Sequence, residues 1–213
     1  IKFIGSGSRA CQIAIDKQRC KKVASKLNIQ TPFGRIFEGN ESIFEDFNKP
    51  FIIKPNTEGS SVGFFIINNR KEMLKALKYN KNNDVIFENF IRGRELTVSV
   101  LDDKVLPIIE IIPKSGVYDY SSKYTTGKSS YIIPAKINST IERDIKEKSL
   151  AIFNEIGCKD YSRIDYILSD ENILYFLEVN TYPGMTETSL FPKSAEKAKF
   201  TFDRLIEKIV SLK

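Results

Sequence analysis

The chain has 213 residues, 41% hydrophobic and 28% charged, which is enough apolar side chain for a sizeable core and excludes a disordered polypeptide. Its formal charge of +6 is dispersed among alternating bases and acids, as in Glu142 to Lys148, which argues against a nucleic-acid partner. Histidine is absent, so the usual general base and commonest metal ligand are missing, and any chemistry falls to carboxylates, lysine, arginine, tyrosine, metal ions and backbone amides.

Taken in chain order, the first residue is Ile1 rather than Met, and residues 1–7 read as a strand entering a loop, with further sequence expected before it. Residues 16–27 have helical spacing, with Ala14 leading in and Thr31-Pro32 ending the segment. Strands at 51–54 and 63–67 flank a polar loop at 56–62, and a helix follows over roughly 70–77. Residues 84–90, 95–100 and 105–112 read as three strands punctuated by Arg92-Gly93 and Asp102-Asp103. Residues 115–130, rich in Ser, Tyr, Thr and Gly, read as a long surface loop of the kind that usually carries function. An amphipathic helix over 139–156 places Ile141, Ile145, Leu150, Ile152 and Phe153 on one broad face. A tight hairpin, 162–168 and 173–179, precedes the turn Tyr182-Pro183-Gly184, and a helix near 202–212 closes the chain. Strands mixed with helices in this order predict α+β lobes.

The apolar runs at 64–67 and 173–177 are far shorter than the roughly 20 residues of a membrane-spanning helix. No charged-then-apolar leader is present, so the expectation is a cytoplasmic protein without a membrane partner. The cysteines Cys11, Cys20 and Cys158 are odd in number and lack CxxC spacing, which predicts reduced structural thiols.

The hairpin carries the most specific pattern. With Glu171-Asn172 as a two-residue turn, Asp165 lies opposite Glu178 and Arg163 opposite Asn180, all on one face. Ile164, Tyr166, Leu177 and Val179 then form the apolar face. Two opposed carboxylates repel, so a cation belongs between them, and Asp, Glu and Asn oxygens suit Mg²⁺ bridging a nucleotide's phosphates. A solvated polar face held by Arg163 and nearby lysines accounts for the spacing equally well.

Lys54 ends an apolar strand and leads into Pro55-Asn56-Thr57-Glu58-Gly59-Ser60-Ser61-Val62-Gly63. Small residues there let backbone N–H groups approach phosphate oxygens beside a strand-anchored lysine. The segment lacks Walker A spacing, and a plain hairpin connection explains it as well. Lys17, at the start of a helix, is either a phosphate ligand or a solvated surface lysine.

Together these segments resemble the ATP-grasp fold and, within it, the D-alanine–D-alanine ligases. Lys54-Pro55 with Glu58 to Gly63 resembles the family's phosphate-covering loop. Tyr118-Asp119-Tyr120 with Lys123-Tyr124 resembles its substrate-closing loop. Arg163-Ile164-Asp165, Glu178-Val179-Asn180-Thr181, Pro183-Gly184-Met185-Thr186 and Ser189-Leu190 complete the set in family order, from Gly5-Ser6-Gly7 to the final helix.

The resemblance implies two α+β lobes with ATP between them: residues 1–13 leading in from a missing N-terminal domain, 14–90 as a central lobe, and 91–213 as a C-terminal lobe with the metal and substrate site. It implies that Lys17 and Lys54 contact ATP phosphates, that the segment from Glu88 to Ile91 meets adenine, and that Glu95 binds ribose. Lys123 would reach the γ-phosphate, and Asp165, Glu178 and Asn180 would hold two Mg²⁺ ions, with Mn²⁺ as a substitute. Arg163 and the Gly184 amide would stabilise an oxyanion, and Ser189 with the Leu190 amide would take the second D-alanine's carboxylate at a helix start. An ordinary helix cap is the alternative for Ser189.

Ser60 and Tyr124 in such ligases share a hydrogen-bonded group with an acid of the N-terminal domain, which this sequence does not contain. The implied activity is ATP-dependent joining of two D-alanines through an acyl phosphate, for peptidoglycan precursors and cell-wall synthesis, with a homodimer for the full-length protein. Two other readings are an ATP-grasp ligase for another D-amino acid or hydroxy acid, and a nucleotide-binding fragment without catalysis. The first-substrate domain orients its carboxylate toward ATP, so the 213 residues alone are expected to ligate poorly.

Overall fold

The structure, a computed structural model, describes residues 3–114 and 128–212. Its helices are α1 (Ser8–Ile15), α2 (Lys17–Lys26), α3 (Arg70–Tyr79), α4 (Ser139–Ile156), α5 (Leu190–Lys197) and α6 (Phe202–Val210). Its strands are β1 (Gly34–Ile36), β2 (Phe51–Pro55), β3 (Phe65–Ile67), β4 (Val85–Asn89), β5 (Gly93–Leu101), β6 (Lys104–Val105), β7 (Ile109–Pro113), β8 (Ser129–Ile132), β9 (Tyr161–Ser169) and β10 (Leu174–Asn180). A short 3-10 helix occupies Glu41–Asp46.

Two antiparallel sheets organise these elements. The smaller has the order β1-β4-β2-β3, and the larger has β10-β9-β5-β7-β8 with β6 paired to β5. Phe44, Phe47, Phe51, Ile67, Met73 and Phe87 form the core of the smaller sheet, beneath the 3-10 helix and α3. On the larger sheet, Ile145, Ile152 and Phe153 of α4 pack with Val98, Ile164, Tyr166 and Phe176. The same core takes in Ala10 and Ala14 of α1 with Cys20 and Ala24 of α2. Small side chains four residues apart let both helices lie close to β10.

Local chemistry explains the boundaries that agree with the sequence. Asn138 caps α4 by accepting a hydrogen bond from the Ile141 amide, and Gly157 ends it in the left-handed region at φ 79°, so α4 runs over the expected 139–156. Asp16 caps α2 through the Arg19 amide. Within α4, Ile145, Ile152 and Phe153 are buried, while Ile141 and Leu150 flank the face and are half-buried.

Elsewhere the structure departs from the sequence reading. Residues 3–7 carry no strand, and α1 begins at Ser8, because its buried face is alanine, which leaves no apolar periodicity to detect. The strand expected over 105–112 is split into β6 and β7, and Pro107, which lacks an amide hydrogen, falls in the gap. Ser129 and Ser130, assigned to a loop, pair with Pro113 and Ile112 as the start of β8. The rest of that loop, 115–127, lies outside the described residues. Among the described residues no helix is long and apolar enough to cross a membrane.

Candidate active site

The hairpin at the β10 edge of the larger sheet differs from its sequence reading in the turn and agrees with it at the site. The loop holds three residues, Asp170 to Asn172, because the Ser169 amide donates to the Ile173 carbonyl at 2.9 Å and Asn172 adopts φ 61°. Near the loop the register is therefore shifted by one residue, pairing Phe176 with Tyr166. A bulge between Phe176 and Glu178 restores it, so that Glu178 stands opposite Asp165 and Asn180 opposite Arg163. The bulge also corrects the assignment of Leu177 to the apolar face. Phe176 and Val179 fill the core, whereas Leu177 turns outward beside Glu178.

Asp165 is held by Arg163 and Thr97. Arg163 donates to its two oxygens at 3.0 and 2.9 Å, and the Thr97 hydroxyl donates at 2.5 Å from the adjoining strand. This guanidinium supplies part of the positive charge that the opposed carboxylates require. Lys17 lies near enough to Glu178 to feel its charge. Burial lowers the Lys17 pKa, and the attraction of Glu178 opposes that shift.

Lys17 is also tied to the loop after β2, donating to the Glu58 carbonyl at 2.7 Å. Asn56 clamps the loop base to α2, accepting from the Gln18 amide at 3.0 Å and donating to Asp16 at 3.0 Å. The loop then turns tightly through Ser60 and Ser61, both left-handed at φ 54° and 58°, with the Val62 amide donating to the Gly59 carbonyl at 3.1 Å. Two successive non-glycine residues in that region are unfavourable in an ordinary hairpin, which prefers Asn-Gly there. Such strain is characteristic of loops that hold a ligand. Gly63 follows at φ 71°, and a Cβ there would come within 2.2 Å of the Asn80 side-chain oxygen.

Beneath this loop lies a buried charge cluster. Glu88 is 2% exposed, and its two oxygens meet Lys21 at 2.7 Å and Lys54 at 2.6 Å. Burial alone would raise the Glu88 pKa, but Lys54 and Lys21 outweigh it and hold the carboxyl below its usual range. Lys21 also donates to the Pro32 carbonyl.

A cavity of about 340 Å³ opens between the sheets, and Lys17, Lys54, Glu88, Ile91, Glu95, Asp165, Leu177 and Glu178 are all on its wall. Asn180 and Arg163 sit on the same hairpin but are not on the cavity wall. Ser60 is at the tip of the covering turn, beside the wall residue Ser61. Gly184 and Ser189 meet each other beyond β10, since a Cβ on Gly184 would stand 2.8 Å from Ser189 Oγ. Ser189 occupies the N-cap position of α5, yet its side chain makes no capping bond and pairs with the Thr186 hydroxyl at 2.8 Å. The ordinary-cap alternative for Ser189 therefore does not describe its side chain, and Leu190 supplies the first residue of the helix. Lys123 and Tyr124 lie outside the described residues. Lys21 and Leu177 were not singled out by sequence. Lys21 lies four residues after Lys17, on the same helix face, and that spacing was the available signal.

Two antiparallel sheets closing on one cavity, with a lysine-bearing strand and a tight serine turn on one side and a carboxylate hairpin on the other, define an ATP-grasp protein. The fold is shared with D-alanine–D-alanine ligase from Bacillus anthracis complexed with ATP (TM-score 0.85, 28% identity, 100% of this chain and 70% of that one). It is likewise shared with the VanG D-Ala:D-Ser ligase from Enterococcus faecalis (TM-score 0.86, 30% identity, 100% of this chain and 65% of that one). The family model for the D-ala D-ala ligase C-terminus matches residues 31–211. D-alanine–D-alanine ligases of Methylacidiphilum infernorum and Syntrophotalea carbinolica are 42% and 39% identical, over 100% and 99% of this chain, and the match spans 70% of each relative. The chain belongs to the D-alanine–D-alanine ligase family.

Proposed function

We propose that the protein is a cytoplasmic ligase that joins two D-alanines at the expense of ATP, the carboxylate of the first being activated as an acyl phosphate. The observation that carries this reading is the convergence of Lys17, Lys54, Glu95, Asp165 and Glu178 on one cavity between the sheets. In this reading Lys17, Lys54 and the turn at Ser60 face the phosphates, the segment from Glu88 to Ile91 takes the base, and Glu95 takes the ribose.

The hairpin suits a hard divalent cation. Among the described residues no three His, Cys, Asp or Glu side chains gather into a closed cage. Asp165 and Glu178 on the cavity wall, with the Asn180 amide two residues further along β10, would offer the open, oxygen-only set that Mg²⁺ uses when nucleotide oxygens and water complete its shell. Asp165, Glu178 and Asn180 would hold Mg²⁺, which supplies charge neutralisation for phosphoryl transfer. Mn²⁺ would fit the same oxygens.

A carboxylate is a poor electrophile because its oxygen is a poor leaving group. Transfer of the γ-phosphoryl to that oxygen releases ADP and creates one. The second D-alanine's amine then forms the C–N bond, and the C–O bond to phosphate breaks with release of inorganic phosphate. Arg163 and the Gly184 amide stabilise charge developing on the carbonyl oxygen, a contribution typically worth several kcal/mol. Ser189 and the Leu190 amide, at the start of α5, receive the second substrate's carboxylate. A homodimer and the division into lobes at about residue 90 belong to the same reading.

A second reading, in which the second substrate is D-serine, draws on the similarity to the VanG ligase. Both are tested on the product of the whole reading frame, supplied with MgATP and D-alanine, with D-serine added at equal concentration. Mass spectrometry should find D-alanyl-D-alanine in excess, with one ADP formed per dipeptide. Predominance of the mixed dipeptide would favour the second reading, and ATP hydrolysis without any dipeptide would overturn both.

A further inference from the structure

Lys21 has no place in the chemistry above, yet it is one of the more buried cations of the molecule, its side chain 11% exposed. Lysines are rarely buried without a structural or functional partner. Its partner is Glu88, and Glu88 is shared with Lys54, which with Lys17 faces the cavity. The space around the pair is fixed. A Cβ on Gly34 would stand 2.8 Å from Glu88 Cγ and 3.1 Å from Lys21 Nζ. The ammonium donates as well to the Pro32 carbonyl.

The charges of this triad decide what Lys54 can offer a ligand. One carboxylate between two ammonium groups leaves a net charge of +1. With Lys21 absent, Glu88 and Lys54 would form a closed neutral pair. Lys54 would then have to give up an undivided buried carboxylate in order to reach a phosphate oxygen, at the cost of leaving that carboxylate uncompensated.

We infer that Lys21 is a positioning residue for nucleotide binding: it neutralises Glu88 and so leaves Lys54 available to the phosphates. This rests on the ATP-binding reading of the cavity. Lys21 touches no substrate in this account and acts only through Glu88.

The test uses calorimetry with three probes, MgATP, magnesium tripolyphosphate and adenosine, with a melting curve for each variant. The wild-type protein should bind MgATP. Failure to do so would overturn the ATP reading itself, independently of Lys21. Lys21→Met should weaken MgATP and tripolyphosphate by about tenfold or more, as expected for loss of one charge-assisted contact, and leave adenosine unchanged. Lys21→Arg should restore binding.

The deciding variant is Lys21→Met combined with Glu88→Gln. Removing both charges returns the cluster to +1, and tripolyphosphate affinity should return to within a fewfold of wild type even if Lys21→Met alone fails to fold. A double variant that folds but binds tripolyphosphate as weakly as a Lys54→Met protein would overturn the inference, as would unchanged tripolyphosphate affinity in a folded Lys21→Met.

Discussion

Among single residues, the opposed pair Asp165 and Glu178 makes the sharpest prediction. Glu178→Gln removes one of two facing carboxylates, so it relieves repulsion while weakening the proposed Mg²⁺ site. Its folding free energy should stay within about 1 kcal/mol of wild type, while MgATP affinity falls and loses its sensitivity to EDTA. Wild-type affinity that persists in EDTA would contradict the metal assignment. Glu88 predicts an acid dependence. Its folded pKa lies below its unfolded value, so the unfolded state takes up the proton first as pH falls. Stability from Glu88 is therefore present above the ordinary carboxylate value near 4.5 and lost as pH drops through the folded value. Melting temperatures of Glu88→Gln should fall less steeply than wild type below that value, and parallel slopes would contradict the pairing. At this scale the hairpin residues were legible, because alternation and opposition can be counted along a chain. Lys21 was not, because a lysine on a helix is most often solvated and only the fold shows what lies over it.

Among elements, the β9–β10 hairpin shows how sequence reasoning can reach the right pairing by an incomplete route. A two-residue turn and an unbroken ladder predict Asp165 opposite Glu178. The structure reaches the same pair through a three-residue loop whose one-residue shift is cancelled by the bulge at Leu177. Equal and opposite irregularities leave no trace in the site pairing, but they reverse the environments of neighbouring side chains. Phe176 becomes core and Leu177 becomes cavity wall. Phe176→Ala should therefore cost about 3–5 kcal/mol of stability, and Leu177→Ala should cost less than half of that while raising the KM for ATP. Chemical denaturation together with steady-state kinetics separates the two, and an equal loss of stability would place both side chains in the core. Helix α1 escaped detection for a different reason, since its buried contacts are alanines that carry little apolar signal. Helix α4, with isoleucine and phenylalanine on its face and a cap at each end, was fully legible.

For the whole molecule, the α+β class and the blocks of the ATP-grasp ligases could be read from residue order, whereas the cavity could not. It exists because the small sheet brings Lys54 and Glu88 over the hairpin of the large one, a juxtaposition of segments far apart in sequence. Lys54 from the small sheet and Lys17 from α2 face the cavity together with Asp165 and Glu178 of the large sheet, which is the arrangement a phosphate chain with its cation requires. In the proposed function this cavity activates a carboxylate by phosphoryl transfer before ligation. Isotope transfer tests it most directly: the product of the whole reading frame is given MgATP and D-alanine carrying ¹⁸O in both carboxylate oxygens. An acyl phosphate keeps one of those oxygens bound to phosphorus when the amine displaces it, so the released inorganic phosphate should carry one ¹⁸O for each dipeptide formed. Dipeptide formation with unlabelled phosphate would contradict the claim.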